Sequence, residues 1–374
     1  MSDTESLAAV NCADPNQKTR DGSKAIKTPR DSNVELLRIL ATLLILLVHT
    51  NYFACGPITI DSISSNPGRS LWHICIQFIA IPCVNLFILI SGWYGIRPKV
   101  KSIGKFIYQC LFYSILIYAI CLLTGFAEFT AKGVAECFYL AKINWFIKAY
   151  LCLYIISPIL NAFVELADKK LFEAVLVFFF LFEIIYGWSG AAVFLEQGYS
   201  ATSFAGLYLL SRYMHIYKPR FSTLTAKQDI IIWVSGLLLF SAGLFCYGYL
   251  ISEGFSLPRV LFEKHSILFS YISPAVLFLS VYLFLPFTKI KVRSTVVNWF
   301  AKSSFAAFLI HANPNILYSL YVPMVLSIYA TNNTIEAGAI ILMSIFLIFI
   351  GAILVDQLRI ASWDILWRVI KPTK

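Results

Sequence analysis

VELLRILATLLILLVHTNYFA, residues 34–54, is apolar over nearly its whole length yet carries Arg38 and His49 inside it. A membrane span needs roughly 20 mostly apolar residues to cross about 30 Å of hydrocarbon at about 1.5 Å per residue, and this run has that length. Reading outward, runs of the same kind lie near 71–93, 105–126, 144–165, 170–187, 201–217, 228–250, 266–286, 303–324 and 335–357. The expected fold is therefore all-α: a polytopic integral membrane helical bundle with about ten transmembrane helices. Composition points the same way, since 59% hydrophobic and only 13% charged residues in a chain of 374 excludes an ordinary soluble protein. Asn313-Pro314-Asn315 interrupts the ninth run, which is expected to be broken or partly re-entrant.

Charge gives the orientation. Of the 30 Lys and Arg, only Arg69, Lys132, Lys142, Arg259 and Lys264 fall in segments that would lie outside if the N-terminus is inside. Short cytoplasmic loops carry excess Lys and Arg, so both termini are expected to be cytoplasmic. The net charge of +10 is spread over these loops instead of gathered in a patch, which argues against nucleic acid as a partner. Residues 1–33 read as a disordered basic cytoplasmic tail, with no apolar core and cleavage site of a signal peptide. Residues 34–357 form one transmembrane domain, and RIASWDILWR (359–368) makes 358–374 an interfacial amphipathic tail. Trp72, Trp93, Trp145, Trp188 and Trp299 fall near proposed helix ends, where an indole favours the interface.

The nine cysteines sit mainly within apolar runs and read as small core residues, with an external Cys55–Cys137 disulfide as the one pairing to consider. No CxxC pair and no His at ligand spacing suggests a metal site, and GxSxG and P-loop motifs are absent. Any chemistry must then come from side chains within the bundle. In the first run, Ser32 and Glu35 have capping-box spacing. Arg38 and His49 are eleven steps of about 100° apart, within about 20° of three full turns, so they share a helix face about 16 Å apart. Glu35 and Thr42 lie on the same stripe, which is expected to face the protein interior. Capping accounts for Glu35 and a bond to its own backbone for Thr42, while Arg38 has snorkelling as its bland alternative. His49 lies deep in a span, where an ionisable group is a functional candidate and an imidazole can accept and return a proton.

With its Arg, ten residues, then His, RILATLLILLVH (38–49) resembles the first helix of membrane-bound acyltransferase family 3. NLFILISGWYGI (85–96), NWFIKAYLCLYIISPILN (144–161) and SSFAAFLIH (303–311) resemble further segments of that family in the same order, so the resemblance covers roughly residues 33–357. It implies an integral membrane O-acyltransferase of the bacterial cytoplasmic (inner) membrane. The acyl group, usually acetyl, would pass from cytoplasmic acetyl-CoA to a hydroxyl of an extracytoplasmic polysaccharide or lipid-linked glycan. His49 would be the general base, and Arg38 would hold donor phosphate or stabilise negative charge. Arg97, Lys99, Lys101 and Lys105 are candidate ligands of the CoA phosphates, with positive-inside topology as their alternative. Lysines here replace the closely spaced arginines common in the family, which weakens a bidentate role.

Asn144, Trp145, Lys148 and Tyr150 are candidates for receiving a sugar ring, with snorkelling as the plain alternative for Lys148. His311 beside the Asn-Pro-Asn break is either a cavity-lining residue or a satisfied core histidine. Glu183 is an intramembrane carboxylate that needs a partner, whereas His73, His215 and His265 need no functional explanation. The competing functional class is a secondary transporter or lipid-linked glycan flippase, although no internal repeat is visible.

Overall fold

The computed structural model describes residues 32–138, 144–188, 194–259, 262 and 267–370, all in helices, turns and loops. Residues 1–31, Lys142, Lys264, His265 and residues 371–374 therefore lie outside the described residues. The helices are α1 Ser32–His49, α2 Ile60–Ser65, α3 Pro67–Ala80, α4 Cys83–Tyr94, α5 Val100–Leu123, α6 Ala131–Phe138 and α7 Trp145–Leu166. They continue with α8 Lys169–Phe182, α9 Ala201–Tyr217, α10 Ala226–Ser252, α11 Pro274–Lys289, α12 Thr295–His311, α13 Val322–Thr331 and α14 Thr334–Ile370. Three π-turns occur among the described residues, Thr50–Ala54 after α1, Glu183–Trp188 after α8 and Leu317–Tyr321 before α13.

Seven helical segments among the described residues are long and apolar enough to cross a membrane, and the protein is an all-α multi-pass membrane protein. The other three expected spans correspond to α9, α11 and α12, of 17, 16 and 17 residues. At about 1.5 Å per residue these reach only about 24–26 Å, and each packs within the bundle rather than standing alone in lipid. The run at 71–93 is two helices, because Pro82 lacks an N–H and crowds the preceding turn, so α3 stops at Ala80. The ninth run is broken as expected: α12 ends at His311 and helical structure resumes at Pro314. The stretch 359–368 is helical, but it continues α14 without interruption, with Arg359 fully buried and Trp363 nearly so.

α1 is the hub, packed against α12, α4, α3 and α11, with Leu37, Ala41 and Leu46 fully buried. α4 lies so close to α9 that a Cβ on Gly92 would meet the Tyr208 carbonyl oxygen at 2.5 Å, so only glycine fits there. Ser211 Oγ donates to the Leu89 carbonyl at 2.6 Å across the same contact, and Asn85 Nδ2 ties α4 to Tyr271 O and Ser280 Oγ at 2.8 and 3.1 Å. These buried donors are thus paired between helices, as a lipid surround favours.

The capping box expected at Ser32 is not formed. The Ser32 N–H donates to Val292 O and its hydroxyl exchanges bonds with the Ser294 backbone, so a tertiary partner takes the place of the local one. The Cys55 and Cys137 thiols are free, and the Cys137 thiol donates to Ser114 O and Gly133 O. Most of the described cysteines are buried or partly so, but Cys152 and Cys246 are exposed on helix faces.

Candidate active site

α1 delivers His49 to its last helical position, and the chain then widens into the π-turn, a device that recurs at functional sites. The wider turn buries Thr50 and Asn51. Thr50 Oγ1 donates to Leu46 O at 2.9 Å and bonds the Tyr321 hydroxyl. Asn51 Nδ2 donates to Gln77 Oε1 at 2.8 Å, while Asn51 O and His73 Nε2 lie 3.1 Å apart. These bonds fix the backbone that carries His49 from two sides, and His73 has a supporting role there.

His49 lines a cavity of about 110 Å³ together with Tyr52, Gln77, Trp145, Tyr199 and Tyr271. Three of those rings form one wall: Trp145 lies 4.4 Å from Tyr199 and 5.5 Å from Tyr271, centroid to centroid. On its other face the His49 ring stacks on His311, 5.2 Å between centroids and 17° between planes, and Tyr321 meets His311 edge-on at 4.3 Å. His49 Nδ1 and both ring nitrogens of His311 are buried without a hydrogen-bond partner. His311 is 1% exposed, so it is a buried histidine but not a satisfied one. Leaving a buried donor or acceptor unpaired costs about 1–3 kcal/mol, and such groups call for a functional explanation.

Arg38 is not in this cavity. Its guanidinium donates to both oxygens of Glu35 at 2.8 and 3.0 Å, one turn back along α1 and about a third exposed. Thr42 Oγ1 donates to Arg38 O at 2.9 Å, the backbone bond expected for it. The stripe along α1 therefore resolves into an ion pair at one end and a histidine cluster at the other.

Arg97, Lys99 and Lys101 are exposed and Lys105 is half-buried. Their loop is held in place: Tyr208 OH accepts from Ile96 N at 3.0 Å, Tyr154 OH accepts from Lys99 N at 2.8 Å, and Asn161 Nδ2 donates to Ile96 O at 2.8 Å. Lys101 sits over the Trp367 ring at 5.1 Å, and Lys105 lies within electrostatic range of Lys302, Arg359, Asp356 and Asp364. Arg212 donates to Trp93 O at 3.3 Å beside the same loop and keeps a buried Nε unpartnered.

Of the expected sugar contacts, Trp145 lies in the His49 cavity. Asn144 caps α7 through Phe146 N at 2.9 Å and lines a separate cavity of about 90 Å³ with Tyr113, Glu136 and Asn313. Lys148 is exposed on α7, and Tyr150 packs between helices, its hydroxyl 3.1 Å from Ser91 Oγ. Tyr52, Gln77, Tyr199 and Tyr271 were missed, because in a chain with 20 tyrosines and 31 phenylalanines no local signal separates a cavity aromatic from a packing one. Glu183 is fully buried at the start of the second π-turn, facing Ser203, and neither carboxylate oxygen has a hydrogen bond of normal geometry.

A buried histidine pair beside an aromatic cavity can move a proton and hold a polar ring. A family model described as an acyltransferase domain matches residues 31–355, which takes in α1, the loop after α4, both histidines and most of α14. No curated protein and no solved structure matches the chain. The chain belongs to membrane-bound acyltransferase family 3.

Proposed function

We propose that this acyltransferase moves an acetyl group from acetyl-CoA in the cytoplasm to a hydroxyl of an extracytoplasmic or lipid-linked polysaccharide at a bacterial inner membrane. The observation that carries the reading is the His49–His311 stack, with three unpartnered ring nitrogens, against a cavity walled by Trp145, Tyr199 and Tyr271. Aromatic faces with hydroxyl and amide groups suit a sugar ring, and an imidazole at its edge suits removal of a hydroxyl proton.

His49 accepts the proton of the acceptor hydroxyl as its oxygen attacks the thioester carbonyl. The C–O bond forms, the C–S bond breaks, and the proton passes from His49 to the departing CoA sulfur. His311 stacks on the imidazole that becomes charged and keeps it in place. Arg38 is about 16 Å along the helix from His49, too far to touch the reacting carbonyl, so of its two suggested roles the one that fits is holding donor phosphate. Arg212 and Lys105 beside the loop of Arg97, Lys99 and Lys101 extend that basic end.

Mass spectrometry of surface polysaccharide tests the reading in cells lacking the protein, complemented with wild type or His49→Ala. Loss of an acetyl mass that only wild type restores supports it; an unchanged profile in the deletion would overturn acetyl transfer to polysaccharide and favour transport or another acceptor.

A further inference from the structure

His311, stacked on His49, lines a different space. α12, the broken segment 316–324 and α14 flank an open crevice of about 350 Å³ that shares no lining residue with the His49 cavity. Ile310, Ile316, Leu320, Met324, Ile348 and Val355 make its walls almost wholly apolar. The Tyr321 hydroxyl at its edge is already bonded to Thr50, which leaves the His311 imidazole as the one unsatisfied polar group at the inner end. Leu320 and Gly351 are exposed at the outer surface of the bundle, so the crevice runs from His311 toward the membrane side of the protein.

We propose that this crevice receives the hydrocarbon tail of the donated acyl group, so that acyl groups longer than acetyl are substrates. The inference rests on acyl transfer at His49. A thioester carbonyl held at the histidine pair must send its substituent one of two ways. The His49 cavity is lined by Gln77 and the tyrosines Tyr52, Tyr199 and Tyr271, which suit an acceptor rich in hydroxyls, whereas the crevice offers apolar surface. A chain carried into the site on water-soluble CoA gains by leaving water for such surface, and one methylene in a fitted apolar pocket shifts specificity by about tenfold or more. The bond changes are those of the acetyl reaction: the thioester C–S bond breaks, the ester C–O bond forms, and the acceptor proton ends on the CoA thiol.

Gly351 supplies the test, because a Cβ there meets no atom within 4 Å and a larger side chain is also a better helix former than glycine. Gly338 on the same helix is equally open but lies outside the crevice. Membrane vesicles carrying wild type, Gly351→Phe, Gly338→Phe or His49→Ala are given acetyl-, butyryl- and hexanoyl-CoA, each labelled in the acyl group. Label passed to envelope material and CoA thiol released are followed together. The expected result is His49-dependent transfer of all three, a hexanoyl-to-acetyl preference about tenfold or more lower in Gly351→Phe, and a wild-type preference in Gly338→Phe. Wild type that takes acetyl alone, or an unchanged preference in Gly351→Phe, overturns the crevice assignment and leaves it to lipid or to an acceptor's tail. Transfer that persists in His49→Ala for every donor would instead remove the acyl-transfer reading of His49 itself.

Discussion

The His311 ring stacks on the His49 ring, 5.2 Å between centroids, although the two residues come from opposite ends of the chain. Neither ring nitrogen of His311 is hydrogen-bonded, so its position serves the neighbouring imidazole more than its own packing. If His311 orients or relays protons with His49, His311→Ala lowers kcat by about a hundredfold or more while KM for acyl-CoA changes little. His311→Phe keeps the ring stack and loses the nitrogens. Full activity in the Phe variant would reduce His311 to a packing role.

In the proposed reaction His49 takes the proton of the acceptor hydroxyl. His49→Ala is expected to abolish acyl transfer in membrane vesicles, while expression and membrane insertion stay at wild-type level. The buried Nδ1 of His49 holds no hydrogen bond that the substitution would break. Retained transfer would rule out the assigned base.

Trp145 forms the centre of the aromatic wall, 4.4 Å from Tyr199 and 5.5 Å from Tyr271. Trp145→Ala removes that face, and the expected effect is a rise in KM for the acceptor of about tenfold with a smaller change in kcat. Tyr199→Phe keeps the face and should cost less. An equal fall in kcat alone from both variants would place these rings outside acceptor binding.

Asp356 and Arg359 form a fully buried pair on α14, with Arg359 Nε and Nη2 at 2.9 and 2.6 Å and the Tyr113 hydroxyl adding a bond at 2.9 Å. Removing one partner leaves an uncompensated charge, so Arg359→Met is expected to destabilise the protein by about 3–5 kcal/mol, read as a lower unfolding midpoint in detergent. Arg359→Met with Asp356→Leu removes both charges and recovers most of that loss. A double variant as unstable as the single one would show that shape, and not charge, sets the penalty.

Gly92 is where α4 and α9 touch. Gly92→Ala puts a Cβ 2.5 Å from the Tyr208 carbonyl oxygen and 2.7 Å from Ser211 Cβ, which forces the two helices apart. The expected loss is about 1–3 kcal/mol of stability. Because Tyr208 also holds Ile96 in the basic loop, donor KM should rise as well, whereas an Ala at the open Gly338 should do neither.

Run length and charge alone read out a multi-pass helical membrane protein, because lipid leaves a spanning chain almost no choice but helix, and the break at Asn313-Pro314 follows from proline chemistry. Helix periodicity put Arg38 and His49 on one face of α1, and the residues around them carried the family resemblance. Tertiary structure alone decided the rest. Helix capping changed where a distant group competed with the local one, as Val292 and Ser294 do for Ser32. Arg38 turned to Glu35, and the aromatic cavity came together from Tyr52, Gln77, Trp145, Tyr199 and Tyr271 on five separate segments. Sequence spacing reports neighbours within one helix, but a site built between helices depends on which faces meet. That is set by packing, such as the close approach at Gly92, which no local pattern records.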